Sequence, residues 1–286
     1  LLSALVGYVL EVLPPEEHSL EYVIKLFTAE DEGPAPQRIY RQLLHELAQK
    51  TPDSFAARQF QFYNVLQGTD RTDASVQAFV SRALAPLSYE GPLHMYRAEP
   101  RIDFAALGRE KTVVFLTISD TDRSTDGLVN LFYTQALQTL CASADRDYPD
   151  HRLPVPVRFI LDDFATNVRI PDFDKIISVI RSREIYVSII LQSISQLSAL
   201  YGHGESMTII NNCDNCLYLG GQDVETARYI ATKANKTTDT ILNMPLDQAY
   251  LFTRGQKARM VTKYDIRTHA AYHELPEAAD DGKEAG

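Results

Sequence analysis

The chain has 286 residues, 45% apolar and 23% charged, an ordinary globular composition with length enough for two domains and their cores. Its formal net charge of −10 excludes a surface that is basic all over, although a local patch or loop can still serve nucleic acid. No run of about 18 apolar residues predicts a membrane span, and three cysteines, Cys141, Cys213 and Cys216, give no disulfide framework and fit a reducing compartment.

Residues 1–10 are apolar but lack a basic flank and a small-residue cleavage site, so they read as a buried helix and not as a signal peptide. The chain does not start with Met, and we expect it to be cut from something longer. Apolar residues recur at helical spacing in Leu2, Leu5, Val6, Val9 and Leu10 until Pro14-Pro15 stops the pattern. A second helix starts at Ser19-Leu20-Glu21-Tyr22, and further helices are predicted over 37–50, 53–66 and 72–85. Gly91-Pro92 and Pro100 break the next stretch, which reads as a connector.

The pattern changes at Lys111. Thr112-Val113-Val114-Phe115-Leu116-Thr117-Ile118 is β-branched and apolar, the composition of a buried strand. A long amphipathic helix follows, then strands at 155–161, 185–191, 216–219 and 249–252, with helices at 171–182 and 223–234 between them. Strands alternating with helices predict a parallel sheet covered on both faces. The expected organisation is an all-α domain over 1–88, a connector over 89–110, an α/β domain over 111–273 and a disordered acidic tail over 274–286.

The sharpest local signal is Val157-Arg158-Phe159-Ile160-Leu161-Asp162-Asp163-Phe164. A mostly apolar strand ending in two carboxylates has the shape of a Walker B segment, and an open α/β sheet binds ligands at the carboxyl ends of its strands. There Asp162 could hold Mg²⁺, a hard cation that takes oxygen ligands, and Asp163 could orient or deprotonate water. The bland alternative is a buried strand leaving into a capped loop. Gln192, after the following strand, suits a sensor of phosphate or water; Ser193 suits a helix N-cap equally well. Arg181 and Arg183 could favour a helix C-terminus or reach a neighbouring subunit's nucleotide as an arginine finger.

Other features carry less. Cys213 and Cys216 have CxxC spacing without a second pair nearby, and His269 and His273 lie too far along the chain for an ordinary zinc module; a buried thiol is preferred. Asp223, after Gly220-Gly221-Gln222, can cap a helix. The phosphate-cradling pattern Gly-x-x-x-x-Gly-Lys-[Ser/Thr] does not occur in the sequence, so a P-loop cannot come from these residues.

Taken in order, Ile160-Leu161-Asp162-Asp163-Phe164-Ala165, Ile170-Pro171-Asp172-Phe173, Ile180-Arg181-Ser182-Arg183, Ile190-Leu191-Gln192-Ser193-Ile194-Ser195-Gln196-Leu197, Ile210-Asn211-Asn212-Cys213-Asp214 and Leu219-Gly220-Gly221-Gln222-Asp223 resemble the TraG/TraD-type coupling ATPases of conjugation and type IV secretion. The resemblance runs over about 1–273. It implies a RecA-like P-loop NTPase sheet, partial because the Walker A strand is absent, with a separate all-α domain. It also implies ATP and Mg²⁺ as cofactors of the full-length parent. The implied parent is a homo-hexamer at the cytoplasmic face of the inner membrane, anchored through a segment absent here. Its implied partners are a relaxase–DNA complex or secreted proteins, and the components of the secretion channel. Carried over by position, Asp162 is the Mg²⁺-associated acid, Asp163 stands where many members have glutamate, Gln192 is the sensor and Arg181 is better placed than Arg183 for the finger. A chain without a P-loop is expected to be inactive by itself. Two other readings remain open: an ATP-independent substrate-receptor module, and another RecA-like hexameric DNA translocase.

Overall fold

The computed structural model describes residues 1–33, 37–65, 70–98, 101–119, 121–164 and 168–274. The expected tail beyond Pro276 lies outside them. The chain divides into two compact units, Leu1–Leu140 and Cys141–Gly286, and α7 (Asp126–Asp147) runs across the division.

The first unit begins with α1 (Leu2–Val12), α2 (Leu20–Thr28), α3 (Ile39–Lys50), α4 (Phe55–Val65), α5 (Asp70–Leu84) and α6 (Glu90–Arg97). Each of the first five lies within two residues of the prediction. Their apolar faces form one core around Leu5, Phe27, Tyr40, Leu44 and Phe60, drawn entirely from residues before 88. Helices α1 and α4 approach closely at Gly7, where a Cβ would stand 3.1 Å from the Ala56 backbone. Helix α6 falls in the expected connector. Gly91 and Pro92 read as breakers, but proline in a first helical turn gives up an amide that has no intrahelical partner anyway. Helix α6 is tied to α2 by Arg97, whose Nε and Nη2 donate to Glu21 at 3.0 and 2.8 Å. Lys25 adds a third contact at 2.8 Å. The hydrogen bonds from Arg97, then Lys25, hold the buried Glu21 carboxyl at about 2.

The run at 112–118 is not a strand. It is irregular, with Val113 74% and Phe115 91% exposed. β-Branched composition makes a strand only where a ladder partner exists, and none pairs with this run among the described residues.

The second unit holds β1 (Val157–Leu161), α8 (Phe173–Val179), β2 (Ile185–Ile189), α9 (Ile194–Tyr201), α10 (His203–Asn211), β3 (Asn215–Tyr218), α11 (Val224–Ala234), α12 (Thr238–Leu242), β4 (Gln248–Thr253) and β5 (Arg259–Thr262). Strands β1 and β2 are parallel, with Val157 opposite Ile185 and Leu161 opposite Ile189. The expectation of one parallel sheet is corrected beyond them. Strand β3 pairs antiparallel with β4, and β4 with β5, in a separate three-stranded sheet. The short connection over 254–258 and the four-residue β5 permit a hairpin, a step that helix–strand alternation did not reveal. Coverage of both faces is corrected as well. Leu161 and Ile185 are buried on one face of the β1–β2 pair, whereas on the other Ile160 is 67% exposed and Arg158 is open to solvent. Helices α11 and α12 cover the antiparallel sheet through Ala227, Ile230 and Ile241, packed with Tyr218, Tyr250 and Phe252.

Backbone hydrogen bonds lock the turn that leaves β1. Ile190 N donates to Leu161 O at 2.9 Å, and Phe164 N donates to Ile190 O at 3.1 Å. Between these anchors Asp163 takes φ of 45°, a left-handed conformation that Asp and Asn tolerate better than other L-residues.

Two outcomes follow from these contacts. Glu21 has a depressed folded-state pKa, so its stabilising effect is complete above its ordinary value near 4.5 and is lost as pH falls toward 2. In urea titrations Arg97→Met should therefore be less stable than the parent at pH 7, with the gap closing between those two pH values; a gap independent of pH contradicts the assignment. At the turn, Asp163→Ala should be less stable than Asp163→Asn by about 1 kcal/mol, or roughly 2–4 °C in Tm, because alanine pays the left-handed penalty. Equal melting temperatures would show that the turn relaxes.

Candidate functional site

Parallel pairing of β1 and β2 brings their carboxyl ends to the same side. Asp162 and Asp163 follow β1, and Gln192 follows β2 after Ile190-Leu191. All three side chains are exposed. Gln192 Nε2 donates to Asp163 Oδ1 at 3.1 Å, while the Asp163 amide donates to Asp162 Oδ1 at 3.1 Å. The two acids and the amide therefore stand together at the carboxyl ends of adjacent strands, with Asp163 and not Asp162 bonded to Gln192.

Buried aromatics beneath the acids fix their base. Phe164 lies 5.1 Å from the Phe173 ring and 5.7 Å from Tyr201, nearly stacked on the latter. The Tyr201 hydroxyl accepts from Ile170 N at 2.9 Å, and burial pushes its pKa up. One aromatic cluster thus joins the Walker B-like turn, the entry to α8 and the end of α9.

Ser193 caps α9 by accepting from Gln196 N at 3.1 Å. Asp223 caps α11 by accepting from Thr226 N at 2.8 Å; the hydrogen bonds from Thr226 are the largest cause of its lowered pKa, with Ser195 adding to them. Both caps were legible in the sequence. Their cross-links were not: Ser195 Oγ donates to Asp223 at 2.7 Å, and Ile194 N donates to Thr226 Oγ1 at 2.9 Å. These bonds tie the start of α9, and Gln192 just before it, to α11.

The two arginines separate clearly. Arg183 forms a two-pronged pair with Asp145 at 2.9 Å on each prong and also donates to Val179 O; its side chain is 24% exposed. Arg181 is 72% exposed and makes one 3.1 Å contact to Asp214, a carboxylate shared with Arg254 at 2.8 Å. Both precede β2, at the end opposite Gln192. Cys213 and Cys216 are half-buried, Cys213 Sγ lies 3.5 Å from Ile209 O, and burial pushes both thiols up.

The donor set suits a hard cation on one side. Two exposed carboxylates supply oxygen ligands of the kind Mg²⁺ takes when most of its shell is water and phosphate. No group of three or more His, Cys, Asp or Glu converges among the described residues, so a cage made wholly of protein is not what these side chains build.

Comparison with known proteins places the chain. Residues 156–248 match a family model described as the TraM recognition site of TraD and TraG. VirD4 of Rhizobium rhizogenes is 26% identical over 158 residues, covering 54% of this chain and 23% of VirD4. The conjugative coupling protein TrwBΔN70, in its unbound monoclinic form, shares the fold with a TM-score of 0.62 at 16% identity, covering 92% of this chain and 60% of that one. Structures of TrwB with ADP and Mg²⁺ and with a non-hydrolysable ATP analogue give TM-scores of 0.62 and 0.64, each at 16% identity and covering 91% of this chain and 60% of TrwB. No helix among the described residues is long and apolar enough to cross a membrane. The resemblance to TraG/TraD-type coupling proteins, first carried by the order of short motifs, is therefore borne out, together with the RecA-like fold class that it implied.

Proposed function

We propose that this chain is part of the ATP-driven motor of a conjugation coupling protein, which passes relaxase-bound DNA or protein substrates into a type IV secretion channel. The observation that carries the reading is the meeting of Asp163 and Gln192, with Asp162 alongside, at adjacent carboxyl ends of parallel strands. In this reading Asp162 holds Mg²⁺ through oxygen, directly or through water, and Asp163 accepts a proton from, or orients, the attacking water. Gln192 senses the γ-phosphate. When bound, Mg-ATP supplies the phosphoanhydride to be cleaved. Its phosphates need a P-loop, which the reading places in a part of the protein outside these 286 residues.

Arg181 is the finger of choice because it is exposed and held by a single contact, whereas Arg183 is occupied by Asp145. Lying before the amino end of β2, with the whole strand between it and Gln192, Arg181 would act on a neighbour's nucleotide, as the homo-hexamer implied by the TraG/TraD resemblance would allow. The helical core over residues 1–88 is assigned to a separate domain on the strength of its self-contained packing. A partner such as TraM docking on 156–248 is consistent with the description of the matched family.

A second reading keeps a specific observation. The helical segment holds a cleft of about 480 Å³ lined by Glu21, Tyr22, Lys25, Tyr96 and Arg97, within the size range of ligand pockets. A substrate-receptor role without ATP would use such a surface, and both roles fit one protein.

The test uses the longer protein that carries a P-loop. Asp163→Asn should reduce ATP turnover at least ~10²-fold while nucleotide binding stays within a few-fold, because the base is lost and its shape kept. Asp162→Asn should weaken Mg²⁺ association as well. Arg181→Ala should show the Asp163 pattern only in the oligomer, and mixing the two mutants should restore part of the turnover. Normal turnover in Asp163→Asn would remove the assigned role of Asp163, whereas absence of ATP turnover in the parent itself would remove the motor assignment and leave the receptor reading. The 286-residue chain alone should show no micromolar Mg-ATP binding by calorimetry, since P-loop affinity comes chiefly from backbone amides and a lysine that it lacks.

A further inference from the structure

Gln196 carries an arrangement that the roles above leave unexplained. It stands three residues after the Ser193 cap, where a glutamine ordinarily reaches back to the cap's own amide in a capping box. Here Ser193 performs its half, accepting from Gln196 N, but the Gln196 side chain turns elsewhere. Its Nε2 donates to Gln192 Oε1 at 3.3 Å, and its Oε1 is buried with no hydrogen-bond partner among the described residues.

The direction of this chain of hydrogen bonds is set by chemistry. An ionised carboxylate only accepts, so Asp163 requires Gln192 to present Nε2. Gln192 Oε1 then points away from the acid and needs a donor, which Gln196 Nε2 provides. Without that donor only Asp163 would hold the Gln192 amide, whose last torsion is broad and roughly two-fold, and the amide could swing away from the carboxylate. We infer that Gln196 is a positioning residue that holds the Gln192 amide with its NH₂ toward Asp163 and the carboxyl ends of β1 and β2. The buried, unpartnered oxygen of Gln196 is the cost of leaving the capping box for this task. As a role in turnover, the inference rests on the nucleotide-site reading above; as a statement about amide orientation, it stands on geometry alone.

The first measurement uses the 286-residue chain itself, with glutamine side chains labelled with ¹⁵N and observed by NMR. The Gln192 NH₂ protons should appear as a hydrogen-bonded, slowly exchanging pair in the parent. In Gln196→Met, which keeps length but cannot donate, the pair should move toward free-amide positions and exchange faster. Gln196→Glu replaces donor with acceptor and should displace the Gln192 signals further, because the amide is drawn toward residue 196 and away from Asp163. Thermal melts confirm that each variant is folded. The second measurement is turnover in the P-loop-bearing protein, where Gln196→Met should lower kcat about tenfold, equal to ~1.4 kcal/mol, with KM for ATP within about twofold.

Unchanged Gln192 signals in both variants overturn the inference whatever the site does. Asp162→Asn losing turnover while both Gln196 variants keep it overturns the positioning role and leaves the nucleotide reading intact. Retained turnover in Asp162→Asn instead removes the nucleotide reading, and with it the role in turnover, and the NMR result alone decides the orientation.

Discussion

The candidate site depends on one constraint, the parallel register of β1 against β2. Because Leu161 lies opposite Ile189, the chain leaves both strands at the same end. Two amide hydrogen bonds through Ile190 then clamp the turn that carries the acids. A shift of one residue would turn the exposed Ile160 inward and the buried Leu161 outward, since side chains alternate along a strand. Burial of Leu161 and Ile185 on a single face makes such a slip expensive, so the hydrophobic pattern fixes the polar site.

Beneath the clamp the site is held by packing, and beside it by caps. The Phe164–Phe173–Tyr201 cluster packs the residue that follows Asp163. The α9 cap is coupled to the α11 cap through Ser195, Asp223 and Thr226. Capping bonds of this kind contribute about 1 kcal/mol each. Here their further effect is positional, because they set where Gln192 and Gln196 begin. The acids themselves stay exposed, as the proposed contact with a hydrated cation requires.

Much of this was legible in the sequence, for local reasons. Helix periodicity located α1 to α5, and cap chemistry located Ser193 and Asp223, because both signals reside in residues a few positions apart. The acid pair at the end of β1 and the glutamine after β2 were readable because a short apolar strand announces its own end. The run at 112–118 misled, since composition records a preference for strands and not the presence of a partner. The hairpin of β4 and β5 and its antiparallel pairing with β3 were missed because strand direction is decided by long-range contacts that no short window contains. Helix α6 was hidden by Gly91-Pro92, whose breaking effect vanishes in a first turn. The Gln192–Gln196 bond joins residues four apart, but nothing in the motif distinguishes it from a capping box until the side-chain direction is known.

The arginines show how geometry refines what a motif leaves open. Position along the chain gives Arg181 and Arg183 nearly equal claims, two residues apart before the same strand. Their surroundings do not. A two-pronged guanidinium–carboxylate pair is among the stronger surface contacts, and Arg183 would have to break one with Asp145 to reach outward. Arg181 gives up only a single contact to a carboxylate that retains Arg254, so its departure leaves no charge stranded. Both lie at the amino end of β2, away from their own chain's acids, and neither can serve the site that shares its strand. In the proposed motor the finger must therefore come from another copy, and the residue whose release costs least is the one to supply it.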